Sequence, residues 1–203
     1  YNSGQCCCGI ERVNVHEQVY DDFLEACSPL IESYILDDPL SPNTTQGPLA
    51  DTASANKMES QINEAVAAGA KIIAGGKSRQ IEQGTFFEPT LIIVNRNDLS
   101  IMQEENFGPL LPVMKVRGDT EAIDYINDSQ FGLTSVICTN DRTRAKSFAE
   151  KVETGTVFMN RCDYLDPALP WTGVKASGKG SSLSRYGLLA MTRPKAIHFR
   201  TQS

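Results

Sequence analysis

Histidine is scarce in this chain, with only His16 and His198 among 203 residues. A zinc centre built on closely spaced ligand pairs completed by histidines is excluded on that ground, and no metal is expected. Basic residues are outnumbered: 19 Lys and Arg face 25 Asp and Glu, a net charge of -6. Nucleic-acid binding usually leaves a basic patch or stripe, so no nucleic-acid partner is expected. Long apolar runs are missing as well. None approaches the roughly 20 residues that span a bilayer, and no secretory signal pattern opens the sequence. No membrane partner is expected, and a cytoplasmic location is. Paired cysteine spacing is the last absence. Three of the six cysteines are consecutive and the others, Cys27, Cys138 and Cys162, are scattered, which is no disulfide framework. Reduced thiols are the default for such a chain. With 40% apolar and 22% charged residues the composition is that of a soluble globular protein, and one large domain is the simplest reading.

What the sequence does have is a run of thiols, Tyr1-Asn2-Ser3-Gly4-Gln5-Cys6-Cys7-Cys8. In an extended segment successive side chains point to opposite faces, so Cys6 and Cys8 turn away from Cys7. Adjacent cysteines rarely reach disulfide geometry. The arrangement suits one thiol presented to a cleft with two small, soft side chains behind it. Gly4 gives the backbone room for a close turn or a close ligand approach. A thiolate is the strongest common protein nucleophile near neutral pH once dipoles or cations stabilise its charge. Buried inert cysteines are also common, and the run alone leaves both readings open.

The rest of the chain alternates helices with apolar strands. Residues 11–16 alternate Val with polar side chains and read as a strand. A helix follows to about Ile35, with Pro29 as a break or kink. The proline-rich stretch 36–50 is a loop, and Asp51 caps a helix to about Ala68. Residues 71–74 read as a short buried strand, 77–84 as a polar turn and 86–94 as one extended stretch. A short helix over 98–103 leads to a strand over 110–116. Asp119 is the expected cap of a helix to about Asp128. Residues 131–138 read as a strand with Cys138 as inert core. A helix over 141–152 carries a solvated face of Arg142, Arg144 and Lys146. A strand around Val157, a helix over 184–191 and a terminal strand over 194–200 complete the series. The pattern predicts an α/β fold, with a mostly parallel open sheet covered by helices on both faces. Gly178-Lys179-Gly180-Ser181-Ser182 lacks the spacing of a phosphate cradle.

Five segments carry a resemblance. Asn2-Ser3-Gly4-Gln5-Cys6-Cys7, with Arg12 five positions on, is similar to the N-x-G-Q-x-C-x-x-x-x-R nucleophile segment of the NAD(P)-dependent aldehyde dehydrogenase superfamily. Glu105-Asn106-Phe107-Gly108-Pro109 resembles that family's E-x-F-G-P segment. Gly155-Thr156-Val157-Phe158-Met159-Asn160 resembles its G-T-V-x-x-N strand, and Gly173-Val174-Lys175-Ala176-Ser177-Gly178 its G-x-K-x-S-G loop. The Phe-Phe-Glu-Pro-Thr run at 86–90 is similar to its F-x-P-T segment. Two places depart from the pattern. Trp171-Thr172-Gly173 stands where many members have Phe-Gly-Gly, and Ser181-Ser182 where Arg-Glu is frequent.

The resemblance implies roles for particular residues. Cys7 is the nucleophile, with Cys6 and Cys8 beside it on the substrate side. Glu105 binds the hydroxyls of the nicotinamide-side ribose, Phe107 packs on the nicotinamide ring, and Lys57 is a further contact to that ribose. Trp171 is a substrate contact in a loop at the mouth of the aldehyde channel, and Arg12 is either a structural ion-pair residue or a support for the Cys7 loop. The implied cofactor is NAD or NADP and the substrate a small-molecule aldehyde, oxidised to the acid through a thiohemiacetal and a thioester on Cys7. Residues 1–192 are read as a catalytic domain and 193–203 as a C-terminal oligomerisation strand, which implies a homodimer or homotetramer of the full-length protein. The general base, a second oxyanion donor and the cofactor-binding domain are expected upstream, so the chain is read as the C-terminal half of a longer one. A non-catalytic oligomerisation module and a member that passes its acyl group to coenzyme A are the alternatives. A thiol-redox protein would use a C-x-x-C pair, which is absent.

Overall fold

The computed structural model describes residues 1–162 and 164–201. Its centre is a four-stranded sheet in the order β1, β6, β5, β2. These are Val13–His16, Leu110–Val116, Thr90–Val94 and Lys71–Ala74. β1 and β5 both run parallel to β6, while β2 is an antiparallel edge with a register shift between Ile72 and Ala74. Alternation along β5 sorts its side chains. Ile92 and Val94 face one side, where Met58, Ile62, Phe87, Ile101 and Met114 pack, and Leu91 faces the other, against Val15, Tyr20 and Val113. Each fully buried side chain of this size stabilises the fold by about 1.5–3 kcal/mol relative to exposure.

Helices supply both coverings. α1 (Tyr20–Glu32) lays Tyr20, Phe23, Leu24, Cys27 and Ile31 on one face. α2 (Thr52–Ala67) lays Ala55, Met58, Ile62 and Ala65 on the other, joined by the single turn α3 (Ser100–Gln103). The expected α/β architecture with a mostly parallel sheet is what the chain forms. β3 (Ser78–Ile81) and β4 (Gly84–Phe87) make an antiparallel hairpin. A second, smaller core of Ile123, Phe148 and Val152 lies between α4 (Asp119–Asn127) and α5 (Arg142–Ala149). It packs on Ile137 and Val157 of the parallel pair β8 (Thr134–Ile137) and β9 (Thr156–Met159). β7 (Phe131–Gly132), β10 (Val174–Lys175) and α6 (Ser184–Ala190) complete the described elements.

Several expectations are corrected. Pro29 lies inside α1 and does not break it: the helix runs on to Glu32, with Ile31 of the last turn packed on the core, and forgoes the one hydrogen bond that Pro29 cannot donate. The stretch over 71–74 is half exposed because β2 is an edge strand. The polar turn before Gly84 is instead the β3–β4 hairpin, and Pro89, which cannot donate to a ladder, separates β4 from β5. Gly118, not Asp119, is the N-cap of α4 and makes no side-chain cap. The Asp119 carboxylate is drawn instead to the Arg144 guanidinium of α5, so Arg144 is not simply solvated. Cys138 is exposed, just past the end of β8. Apart from these corrections, residues 192–201 pair with no strand of their own chain, and Ile197 and Phe199 stay exposed. No described helix is long and apolar enough to cross a membrane.

Candidate active site

The thiol run lies on a loop that leads into β1. Residues Asn2–Gly4 form one 3-10 turn, and Gly9 N–H donates to the Cys6 carbonyl at 2.9 Å to close the next. The turn, rather than an extended segment, puts Cys6 and Cys8 on the same side with their Sγ atoms 3.4 Å apart. Cys8 is buried and Cys7 is exposed. Burial, reinforced by the Cys6 thiol, pushes the Cys8 thiol up to about 12, so it keeps its proton at neutral pH.

The loop is fastened from behind by the segment that enters α2. Gln5 Oε1 accepts from the Ala50 N–H at 2.7 Å, and Ser3 Oγ donates to the Gly47 carbonyl at 3.2 Å. α2 starts at a true cap, with the Ser54 N–H donating to Asp51 Oδ1 at 2.7 Å.

Glu105 and Phe107 stand on the connection from α3 to β6. β1 and β6 are parallel neighbours, so the loops that lead into them lie side by side at the amino ends of the two strands. Their contact is backbone on backbone. Gly4 has φ +74°, and a Cβ there would sit 2.1 Å from the Gly108 carbonyl oxygen. A Cβ on Gly108 would in turn sit 2.2 Å from Sδ of Met58, a fully buried residue of α2. The thiol loop, the Glu105 loop and α2 are stacked at a separation that only two glycines permit.

Charged side chains then fix the Glu105 loop. Lys57 Nζ donates to the Glu105 carbonyl at 2.7 Å and lies 3.7 Å from the Glu104 carboxylate. Arg12 Nη2 donates to the Glu104 carbonyl at 3.3 Å. Glu11 accepts from the Phe107 N–H at 2.9 Å and the Asn106 N–H at 3.4 Å. Burial raises the Glu11 carboxyl above its ordinary value, opposed by the Phe107 N–H and the Arg12 guanidinium. Burial likewise lowers Arg12, against the attraction of Glu11 and Glu105. Asn106 is buried, and its Oδ1 accepts from the Gly108 N–H at 3.1 Å. Glu105 and Phe107 are exposed beyond this frame, Phe107 at 39%.

Trp171 belongs to a different feature. It lines a cavity of about 230 Å³ with Phe158, Arg161, Tyr164, Leu169 and Leu183, and the thiol loop is not part of that lining. The Arg161 guanidinium stacks 3.8 Å from the Tyr164 ring centroid, and Trp171 exchanges two 2.8 Å backbone hydrogen bonds with Ser182. The structure therefore brings Cys6, Cys7, Cys8, Lys57, Glu105 and Phe107 into one region, and places Trp171 on a separate cavity wall. Glu11 went unnoticed in the sequence. Nothing in its local pattern marks it, because its partners lie 95 and 96 positions away.

A model of the aldehyde dehydrogenase family matches residues 1–197. The chain belongs to the aldehyde dehydrogenase family. It is 34% identical to the NADP(+)-dependent succinate-semialdehyde dehydrogenase of Deinococcus radiodurans over 97% of this chain and 41% of that protein. It is 33% identical to the mitochondrial aldehyde dehydrogenase of Mesocricetus auratus, over 97% of this chain and 39% of that one. Among solved aldehyde dehydrogenase structures, betaine aldehyde dehydrogenase of Staphylococcus aureus in complex with NAD+ superposes with a TM-score of 0.89 at 32% identity. That match covers 100% of this chain and 42% of the other. The chain thus spans about 40% of the length of these aldehyde dehydrogenases.

Proposed function

We propose that this chain contributes the thiol nucleophile and part of the dinucleotide site of an NAD(P)-dependent aldehyde dehydrogenase. The observation that carries the reading is the stack of Gly4 on Gly108, which sets the exposed Cys7 loop against the exposed Glu105 and Phe107 in a chain of this family. A carboxylate that makes no hydrogen bond to the described residues and an open aromatic ring two positions on fit ribose hydroxyls and a nicotinamide face. Lys57 acts on the same ribose region, and it also steadies the turn through the Glu105 carbonyl.

In this reading Cys7 Sγ, as thiolate, adds to the aldehyde carbon and a thiohemiacetal forms. The backbone N–H of Cys7, which makes no hydrogen bond to the described residues, is a donor for the oxyanion. Bound NAD or NADP would supply the hydride acceptor that leaves a thioester on Cys7. Cys8 keeps its proton and so does not compete as a nucleophile, and Cys6 shares a hydrogen bond with it. Cys6 and Cys8 thereby form the wall behind the reacting sulfur. Trp171 and its cavity belong to substrate selection, with Arg161 facing the same space. The acid is released by water, or the acyl group passes to coenzyme A in the alternative form.

Residues 1–192 act as one catalytic domain in this proposal, and 193–203 as a strand that pairs with another subunit. The exposed Leu188, Leu189, Met191, Ile197 and Phe199 support assembly into a homodimer or homotetramer. The free thiols of Cys6, Cys7, Cys8, Cys27 and Cys138 suit a reducing compartment such as the cytoplasm.

The test is competition among thiols. Cys7 and Cys138 are both exposed, so brief treatment with a limiting alkylator at pH 7, read by mass spectrometry, compares reactivity rather than access. Label concentrated on Cys7 is expected. Equal labelling of Cys138 would remove the nucleophile assignment.

A further inference from the structure

Glu11 lies two positions before β1 and takes no part in the chemistry described above. Its carboxylate nevertheless makes the longest-range side-chain contacts to the Glu105 loop. One oxygen is 2.9 Å from the Phe107 amide and the other 3.4 Å from the Asn106 amide, with only 15% of the side chain exposed. Phe107 holds φ +50°, a left-handed conformation that an aromatic residue rarely keeps without outside restraint. The charged groups facing Glu11 are Arg12, whose Nη2 lies 3.8 Å from its carboxylate, and Glu105, whose negative charge opposes it. Arg12 also grips the Glu104 carbonyl, so neighbouring residues hold both ends of the same turn.

We propose that Glu11 is a positioning residue: by accepting the Asn106 and Phe107 amides it locks the left-handed turn that aims Glu105 and the Phe107 ring at a nicotinamide dinucleotide. The proposal rests on the reading of Glu105 and Phe107 given above. Glu11 touches neither reactant; it acts through the backbone of the residues that do.

Two variants separate positioning from bulk stability. Glu11→Ala removes both acceptors. Glu11→Gln keeps one oxygen for the Phe107 amide but sets an NH2 group against the Asn106 amide. Amide hydrogen exchange on the protein is expected to accelerate at Asn106 and Phe107 by about tenfold or more in Glu11→Ala and by less in Glu11→Gln. The amides of β5 and β6 should stay as protected as before. Titration with NAD+ and with NADP+ should show weakened binding in the same order, about tenfold for Glu11→Ala. Unchanged exchange at those two amides overturns the proposal, as does acceleration spread evenly through β5 and β6. Should exchange follow the expected order while both variants bind a dinucleotide as tightly as the parent protein does, the restraint on the turn is upheld and the cofactor reading of Glu105 and Phe107 fails.

Discussion

The thiol side of the molecule and the Trp171 side are built in opposite ways. Around Cys7 the fixing bonds span great sequence distances: Gln5 to Ala50, Lys57 to Glu105, Arg12 to Glu104 and Glu11 to Phe107. Around Trp171 they are short: Ala168 to Asp166, Thr172 to Gly180 and Trp171 to Ser182. A site held by distant partners cannot form before the domain does, and it inherits the rigidity of the sheet and of α2. A loop held by its own neighbours can change sequence without disturbing the core. The proposed roles follow the same line, with the chemistry assigned to the first region and substrate selection to the second.

The sharpest way to break the comparison is to crowd one glycine from each region. Gly4→Ala meets both a left-handed backbone and the Gly108 carbonyl, and is expected to destabilise by about 3 kcal/mol or more in urea unfolding. Gly178 also has positive φ, at +131°, but open space surrounds it. Gly178→Ala should therefore cost only about 1 kcal/mol, the conformational part alone. Equal losses would show that crowding does not distinguish the two regions.

Charge gives a smaller effect with a definite sign. The Arg144 hydrogen bond holds the Asp119 carboxyl below its ordinary value, so its support is present above the unfolded value and disappears as pH falls through the lowered one. Both side chains are 44% exposed, and with solvent screening Asp119→Asn should cost about 0.5 kcal/mol at pH 7. The variant should also lose less stability than the parent between pH 5 and 2, in approximate terms set by an unshifted Asp near ~3.9. Glu11 works in reverse. Its raised carboxyl favours the fold below the unfolded value, and that contribution is lost as pH rises through the raised one. A urea-midpoint profile in which Glu11→Gln loses stability less steeply with acid than the parent would contradict this sign.

The smallest effect is expected from Trp171→Ala. Alkylation of Cys7 should stay within about twofold, since the two share no cavity wall, while the relative rates among aldehydes of different size should shift. A large drop in Cys7 alkylation would join the two regions that the structure keeps apart.

Sequence reading found whatever depends on neighbours in the chain. The thiol run, Gln5 and the Glu105 turn are compact patterns, and periodicity located most of the helices and strands. Cys138 looked like core because its strand is apolar, yet it falls one residue past the last ladder pair, where the chain turns outward. Asp119 has the chemistry of a helix cap, but Arg144, 25 positions on, offers a stronger partner. Glu11 shows the limit most clearly: a glutamate beside an arginine before a strand reads as an ordinary surface pair, and only the folded sheet reveals the amides it accepts.

A peptide carbonyl has no rotamers. At the contact between Gly4 and Gly108 there is no side chain to swing aside, and Met58 fills the space behind. Such a joint transmits displacement instead of absorbing it. A shift of a few tenths of an ångström in the turn that carries Glu105 and Phe107 must push on the loop that carries Cys7, and the reverse holds equally. The thiol and the turn therefore move as one lever, with its fulcrum on α2.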